Sequence, residues 1–241
     1  MRSRASKRDA HRCRPGSSTQ VYGLFQGALS DVVVVYPLLT RVPPQVTGPI
    51  RRSAQLLACH GFVVAMPEIY HEFEAPGVAF SYEGKAGVER GNELKVTKTC
   101  AAYDSDSAAV LAWLAKHPDC TGALGVAGFC IGGHLAFRAA MNAGVRAAAC
   151  FYATDLHKGA LGKGGDNSLQ RLGELAAAGT EMMMIWGRQD PHVPVEGRVK
   201  IHAALAEAGV NFTWRVPWQW RALCADVLAQ ARVQRAACLH A

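Results

Sequence analysis

The stretch that most constrains the fold of this chain runs from Leu124 to Ala136. It combines a short apolar strand, a tight turn rich in glycine and the first turns of a helix. This order is typical of a nucleophile elbow, in which a strand delivers a reactive side chain into a strained turn. The usual pattern is Gly-x-Ser-x-Gly, and here Cys130 takes the serine position between Gly128 and Gly132. We expect a side-chain carbon at either glycine to collide with the neighbouring strand or helix.

The elbow also predicts how Cys130 reacts. Ile131 opens the following helix, so its backbone N–H would point at an oxyanion formed on a substrate bound to Cys130. The positive end of that helix favours the thiolate form of the cysteine. The plainer interpretation is a buried and inert cysteine in a glycine-rich turn. We prefer the elbow because strand, turn and helix follow one another in the required order.

Length, charge and hydropathy restrict the class of protein. With 241 residues, half of them hydrophobic, the chain can bury the core of one α/β domain. We predict a disordered basic tail over residues 1–20 and a single domain over 21–241, atypical after 214. The net charge of +7 is concentrated at the two ends, and no nucleic-acid motif accompanies it. No apolar run reaches the roughly 18 residues that span a bilayer, so neither a nucleic-acid nor a membrane partner is expected.

The cysteines bear on compartment and cofactors. None of the eight forms a Cys-x-x-Cys pair, so the sequence predicts neither zinc nor a redox disulfide, and no cofactor. Reduced thiols in apolar segments indicate a cytoplasmic protein. An Arg- and Ser-rich start, in which Asp9 is the single acidic residue, also fits an organellar transit peptide over residues 1–20. A thiol-based redox sensor would need a resolving cysteine beside Cys130, and the neighbouring sequence supplies none.

Predicted strands and predicted helices alternate along the chain, and irregular segments interrupt them in places. We predict irregular segments over 68–92 and 155–170 and a surface helix over 220–237. The predicted strands cover 32–36, 62–66, 124–129, 147–152, 182–186 and 211–214, and the predicted helices cover 50–60, 95–117, 133–143, 169–178 and 198–208. Strands that alternate with helices favour a mostly parallel sheet with helices on both faces.

Ligands of such sheets bind beyond the carboxyl ends of the strands. Asp190 follows the predicted strand 182–186 and comes after Cys130, in the triad order nucleophile, acid, histidine. A carboxylate there would orient a histidine and stabilise its charged form. Considered alone, Asp190 is more simply a turn-capping aspartate before Pro191. Given the elbow, we prefer the triad acid.

These motifs together resemble those of the dienelactone hydrolases, also called carboxymethylenebutenolidases. The resemblance extends over about residues 45–214. It is carried by residues 128–133 and 187–194, with further support from 45–50, 60–64 and 67–72. It implies an α/β-hydrolase fold, no metal, and a Cys–His–Asp triad that opens a lactone enol ester through an acyl-thioester.

The resemblance assigns Cys130 as the nucleophile and Asp190 as the acid. It also places Tyr70, His134 and His192 near the site without giving them a step in the reaction. A histidine in a helix or turn is more often structural, and this interpretation stays open for His134 and His192.

Two family positions are not matched in this sequence. The family glutamate that holds the resting cysteine falls on Leu38 or Val42, neither of which is acidic. The family histidine follows the last strand, but residues 203–239 contain no histidine, and only the penultimate His240 remains as a candidate base. The sequence therefore predicts an ester or lactone hydrolase that is impaired by the missing base. The alternative is a catalytically inactive relative that binds a small ligand or a protein partner in the same cleft.

Overall fold

A computed structural model describes residues 11–13, 21–24, 30–36, 48–75, 78 and 86–217 of the chain. Its strands form one sheet in the order β1-β2-β4-β3-β5-β6-β7-β8. The strands are β1 (His11–Cys13), β2 (Val21–Leu24), β3 (Ser30–Tyr36), β4 (Val63–Pro67), β5 (Cys120–Phe129), β6 (Val145–Phe151), β7 (Glu181–Ile185) and β8 (Phe212–Arg215). The helices are α1 (Gly48–Cys59), α2 (Ala86–Thr97), α3 (Cys100–Ala115), α4 (Ile131–Ala139), α5 (Leu172–Ala178) and α6 (Val195–Glu207), with a 3₁₀ turn at Ser168–Gln170.

The parallel part of the sheet runs from β4 through β3 to β8 and is covered on both faces. Successive residues of a strand point to opposite faces, so the β-branched run of β3 supplies two cores. Val34 packs in the large core that also contains buried residues of α3, α4, α5 and α6. Val35 packs on the other face against Ala54 and Ala58 of α1. The predicted mostly parallel sheet with helices on both faces is confirmed.

The N-terminal edge of the sheet corrects one prediction. Residues 11–13, assigned by the sequence to a disordered tail, form β1 and pair antiparallel with β2, which pairs antiparallel with β4. Neither strand has a long apolar run, because edge pairing draws on backbone hydrogen bonds rather than on side-chain burial. The other residues of 1–20, and the helix predicted over 220–237, lie outside the described part of the chain.

The helix predicted over 95–117 is in fact two helices, and the first begins at Ala86, inside the segment predicted to be irregular. α2 ends at Thr97 and α3 begins at Cys100. Thr99 between them is extended, and its hydroxyl caps α3 by accepting the N–H of Ala102 at 3.1 Å. This capping bond competes with a continuous helix and explains the break.

The start of α4 also differs from the sequence-based prediction. The helix begins at Ile131 rather than at Gly133. Glycine has poor helix propensity, so the two glycines in the first turn led the prediction to place the start too late. Their packing against β5 and β6 outweighs that local preference. Within the described ranges, no helix is both long enough and apolar enough to cross a membrane.

Candidate active site

The turn between β5 and α4 has the backbone geometry of an elbow. Cys130 has φ 59° and ψ −118°, a conformation that side chains of L-residues rarely adopt. A Cβ on Gly128 would lie 2.0 Å from the carbonyl oxygen of Gly132, and one on Gly133 would lie 2.7 Å from that of Phe151. Glycine is therefore required at 128, as the sequence predicts, so that the turn can pack against its own helix.

Three backbone hydrogen bonds hold this strained residue. The Cys130 N–H donates to the carbonyl of Phe151 at 2.9 Å, and the Cys130 carbonyl accepts from the N–H groups of His134 and Thr154, each at 3.2 Å. A strained residue of this kind costs about 1–3 kcal/mol and persists only where its surroundings fix it. The side chain of Cys130 is almost fully buried, and its Sγ lies 3.6 Å from the hydroxyl of Thr154.

Ile131 is the first residue of α4 and is buried. The N–H groups of the first helical turn have no acceptor within their own helix. A backbone donor at a helix N-terminus therefore immediately follows Cys130. Its role in an oxyanion hole remains a prediction.

Asp190 lies at the same edge of the sheet as Cys130. β6 lies between β5 and β7, and Phe129, Phe151 and Ile185 align at the carboxyl ends of these three strands. Asp190 is half-buried, and its Oδ1 accepts the N–H groups of His192 and Val193 at 2.8 and 3.3 Å. The turn-capping role is thus present. A carboxylate has a second oxygen, so the role of triad acid is compatible with it and stays a prediction.

The described histidines near the elbow differ in burial and in hydrogen bonding. His134 is completely buried, with Nδ1 2.8 Å from the carbonyl of Thr154 and Nε2 2.9 Å from the hydroxyl of Ser168. Both ring nitrogens are engaged, so His134 has a structural role. His192 is exposed, in the loop of Asp190. His240, and the positions of Leu38 and Val42, lie outside the described residues.

Tyr70 lies in residues 68–75, here called the β4 loop, close enough to Cys130 for the two side chains to interact electrostatically. Its ring is fully buried, and its hydroxyl donates to the carbonyl of Gly91 at 3.4 Å. Burial raises the pKa of Tyr70 well above its usual value, and neighbouring Tyr103 and Cys130 raise it further. The phenol therefore stays neutral and adds no charge near the cysteine.

A family model for the dienelactone hydrolases matches residues 31–216 of the chain, and this region contains the elbow, Asp190 and the whole parallel sheet. The chain belongs to the dienelactone hydrolase family. A "Putative carboxymethylenebutenolidase" of Saccharomyces cerevisiae is 42% identical over 172 residues, which are 70% of this chain and 62% of the yeast protein. The Carboxymethylenebutenolidase of Pseudomonas sp. (strain P51) is 27% identical over 161 residues, 66% of this chain and 61% of that protein. The chain thus spans less than two thirds of the length of these two relatives.

Solved structures agree with this assignment at the level of the fold. A crystal structure of a "Putative Dienelactone Hydrolase" from Klebsiella pneumoniae superposes with a TM-score of 0.66 and covers 83% of this chain and 80% of its own. The identity is 20%, so the likeness establishes the α/β-hydrolase fold alone. Both the family and the fold implied by the sequence resemblance are confirmed.

In this member of the family, polar and charged contacts fix the β4 loop that carries Tyr70. His71 Nε2 lies 3.0 Å from Asp106 Oδ2, and Lys98 Nζ lies 2.5 Å from the same oxygen and 3.2 Å from Glu72 Oε2. The Lys98 side chain is completely buried. Burial raises the pKa of Asp106, but the hydrogen bonds from His71 and Lys98 outweigh it and leave that pKa lowered.

A second charged cluster lies behind the elbow, and sequence reasoning missed it. Arg138 on α4 forms a two-pronged contact with Asp104, at 2.8 and 2.7 Å, and reaches Asp166 at 2.7 Å. Asp166 also accepts the hydroxyl of Ser168 at 2.5 Å, and its Oδ2 lies 2.9 Å from Nε2 of His134. His134 and Arg138 are four residues apart on an otherwise apolar helix. This polar pair on one face of the helix was the sequence feature that could have indicated the charged cluster.

His157, in the loop after β6, is another residue that sequence reasoning missed. Both ring nitrogens are buried and have no hydrogen-bond partner among the described residues. Burial and the charges of Lys158 and Lys200 lower the pKa of His157, while Asp155 and Asp190 partly oppose this. The ring therefore lies within electrostatic reach of Asp190. Polar residues directly after a predicted strand were the only sequence signal for His157.

Across the described ranges, no group of three or more His, Cys, Asp or Glu side chains is placed to hold a metal ion.

We expect iodoacetamide at limiting concentration to label Cys130 before the other seven cysteines. The helix N-terminus beside Cys130 favours the reactive thiolate. Burial instead raises the pKa values of the Cys100, Cys120 and Cys150 thiols, which keeps them protonated. Peptide mass spectrometry after a brief reaction measures the order of labelling. Exposed Cys59 is the natural competitor, and preferential labelling there or at Cys150 would contradict an activated Cys130.

Proposed function

We propose that this protein hydrolyses carboxylic esters or lactones through a cysteine nucleophile. In this mechanism the Cys130 thiolate attacks the acyl carbon, and the N–H of Ile131 stabilises the oxyanion that forms. The carbon–oxygen bond of the ester then breaks, the alkoxide or enolate takes up from solvent the proton that the thiol had lost, and an acyl-thioester remains on Cys130. Water attacks this thioester, the carbon–sulfur bond breaks, and the carboxylic acid and the thiol are released.

The observation that carries this proposal is the backbone of Cys130. A strained residue fixed by three hydrogen bonds projects its side chain at the carboxyl edge of the sheet, where ligands of α/β folds bind. Cys130 lies between the carboxyl end of β5 and the N-terminus of α4, so both elements position its sulfur. The neutral phenol of Tyr70 lies near the same sulfur and adds no negative charge that would oppose a thiolate.

The acid and the base are the less supported parts of the proposed triad. Asp190 lies at the correct sheet edge, and we assign it the role of the acid. Both ring nitrogens of His134 are already engaged, so it does not serve as the base. His240 is retained as the candidate base from the sequence. Without a base we expect an impaired enzyme, because general base catalysis contributes about 10²–10⁴-fold.

The second candidate function is binding without turnover in the same cleft. Two sequence observations favour it, namely the apolar residues at Leu38 and Val42 and the absence of histidine from residues 203–239. Such a protein would hold a small ligand or a protein partner and release no product. We place it second because the elbow geometry at Cys130 is intact.

An assay of the full chain with p-nitrophenyl acetate and with a dienelactone distinguishes the two functions. The hydrolase proposal predicts product release and an acyl adduct on the Cys130 peptide when the reaction is quenched early. His240→Ala tests the base, and His202→Ala, an exposed histidine on α6, is the matched control. Loss of the rate in His240→Ala alone would identify the base. Binding of the lactone without turnover or adduct would instead support the second function.

A further inference from the structure

We propose that Thr154 is the residue that holds the resting sulfur of Cys130, by donating its hydroxyl hydrogen to the thiolate. This inference rests on the proposed function, since it assigns a further group to the same nucleophile. Thr154 belongs to residues 152–166, here called the β6 loop, which starts directly after β6. The resemblance to the family gave no role to this residue.

The contacts of Thr154 converge on the elbow. Its Oγ1 lies 3.6 Å from Cys130 Sγ, and its N–H donates to the Cys130 carbonyl at 3.2 Å. Its own carbonyl accepts from Nδ1 of His134, one turn into the helix that Cys130 begins, at 2.8 Å. Donor, acceptor and hydroxyl of one residue thus engage the first turn of α4. The position of the Thr154 hydroxyl is therefore set by the same bonds that set the position of the sulfur.

The backbone near Thr154 also has positive φ values on both sides. Tyr152 and Asp155 have φ values of 38° and 68°, in the region that favours glycine. Among the described residues, these two and Cys130 are the only ones other than glycine with a positive φ. Asp155 is anchored by Lys95 Nζ at 2.8 Å, and the Tyr152 N–H donates to Ile185 at 2.6 Å. In the described residues, a positive φ outside glycine is thus confined to Cys130 and to two residues close to Thr154. Strain of this kind persists only where the surrounding structure fixes it, which indicates an organised site.

The chemistry follows from what a hydroxyl can do beside sulfur. A thiolate has no hydrogen to donate, so the Thr154 hydroxyl must donate to it, and this bond favours the charged form. Tyr70 lies near Cys130 in the β4 loop and stays neutral, and His134 on α4 is committed to Thr154 and Ser168. The hydroxyl of Thr154 and the N-terminus of α4 are thus two groups that favour the thiolate. Thr154 would then occupy the role that the family gives to the unmatched glutamate.

The test is the pH dependence of Cys130 alkylation in Thr154→Val and Thr154→Ser variants of the full chain. Valine keeps the shape and removes the hydroxyl, so we expect the midpoint of the labelling profile to rise by about 0.5–1 pH unit. At a pH below both midpoints the labelling rate should then fall about three- to tenfold. Serine retains the hydroxyl and should restore the wild-type profile. Thr154→Ala is the second variant if valine disturbs folding, which circular dichroism and thermal unfolding would show.

Thr180→Val is the matched control, because Thr180 is also buried and its hydroxyl bonds to the carbonyls of Ala140 and Val145, each at 2.8 Å. It should lose stability and leave the labelling profile unchanged. An unshifted or lowered midpoint in Thr154→Val would overturn the inference. The labelling profile needs no ester turnover. A wild-type chain without esterase activity would therefore contradict the proposed function and still leave the role of Thr154 tested.

Discussion

Replacing Cys130 with alanine should lower kcat/KM for p-nitrophenyl acetate by at least about 10³-fold, because a covalent mechanism loses its nucleophile. Alanine keeps the Cβ, and the three backbone hydrogen bonds at residue 130 do not involve the side chain. The variant should therefore fold with nearly unchanged thermal stability. Initial rates measured over a range of ester concentrations, with solution hydrolysis subtracted, give the ratio.

Cys59→Ala is the matched control for that experiment. Cys59 is an exposed cysteine at the end of α1, so its removal should leave kcat/KM within about twofold of the wild type. A Cys130→Ala variant with more than about a tenth of the wild-type rate would show that another group attacks the ester. The cysteine mechanism would then be wrong even though the chain is a hydrolase.

Asp166→Asn should destabilise the protein by about 2–3 kcal/mol, less than the loss of a sole buried partner would cost, because Arg138 keeps its two-pronged contact with Asp104. The Asp166 side chain is 1% exposed and contacts Arg138, which is itself 3% exposed. Without the carboxylate, the guanidinium loses a charged acceptor inside the protein. Urea unfolding followed by circular dichroism measures the change. Because the cluster adjoins His134 and through it Thr154, we expect ester hydrolysis to fall as well.

Glu174→Gln is the control in the same cluster, since Glu174 pairs with Arg171 at its exposed end. A solvated pair of this kind contributes about 0–1 kcal/mol, so the variant should unfold nearly as the wild type does. Equal losses in Asp166→Asn and Glu174→Gln would contradict a central role for the buried pair.

The same carboxylate predicts part of the acid stability of the protein. Burial raises the pKa of Asp166, but hydrogen bonds from His134 and Ser168 and the charge of Arg138 outweigh it and lower that pKa to about 2. Its stabilisation is therefore present above the unfolded pKa of 3.8 and is lost as the pH falls toward about 2. This contribution is about 2 kcal/mol, and Asp166→Asn should remove it from the pH dependence.

The parts of the structure that follow from local sequence signals were predictable. The valine run of β3 specified a strand buried on both faces, and Gly128 with Cys130 specified the elbow, because backbone geometry and burial leave a short-range pattern. The order of strands and helices then placed Cys130 and Asp190 at one sheet edge. The edge strand β1 escaped prediction because it has only three residues and these form no apolar pattern.

The surroundings of the site escaped prediction for a related reason. Thr154, His157 and Asp166 act through contacts that connect β6, α4 and the β6 loop, and none of these contacts has a fixed sequence spacing. The capping hydroxyl of Thr99 was visible, but the pattern of a long helix concealed it. The roles of Cys130, Ile131 and Asp190 remain predictions that the experiments above test.

Two lysines near the break between α2 and α3 have a mechanical consequence. Lys95 binds Asp155 in the β6 loop, and Lys98, three residues later, binds Glu72 in the β4 loop. The carbonyls of the same two lysines accept the N–H groups of Gly162 and Lys163. One helical turn thus ties together the two loops that carry Tyr70 and Thr154. The two loops cannot separate without breaking these partly buried ionic contacts, so we expect them to move together when a substrate binds.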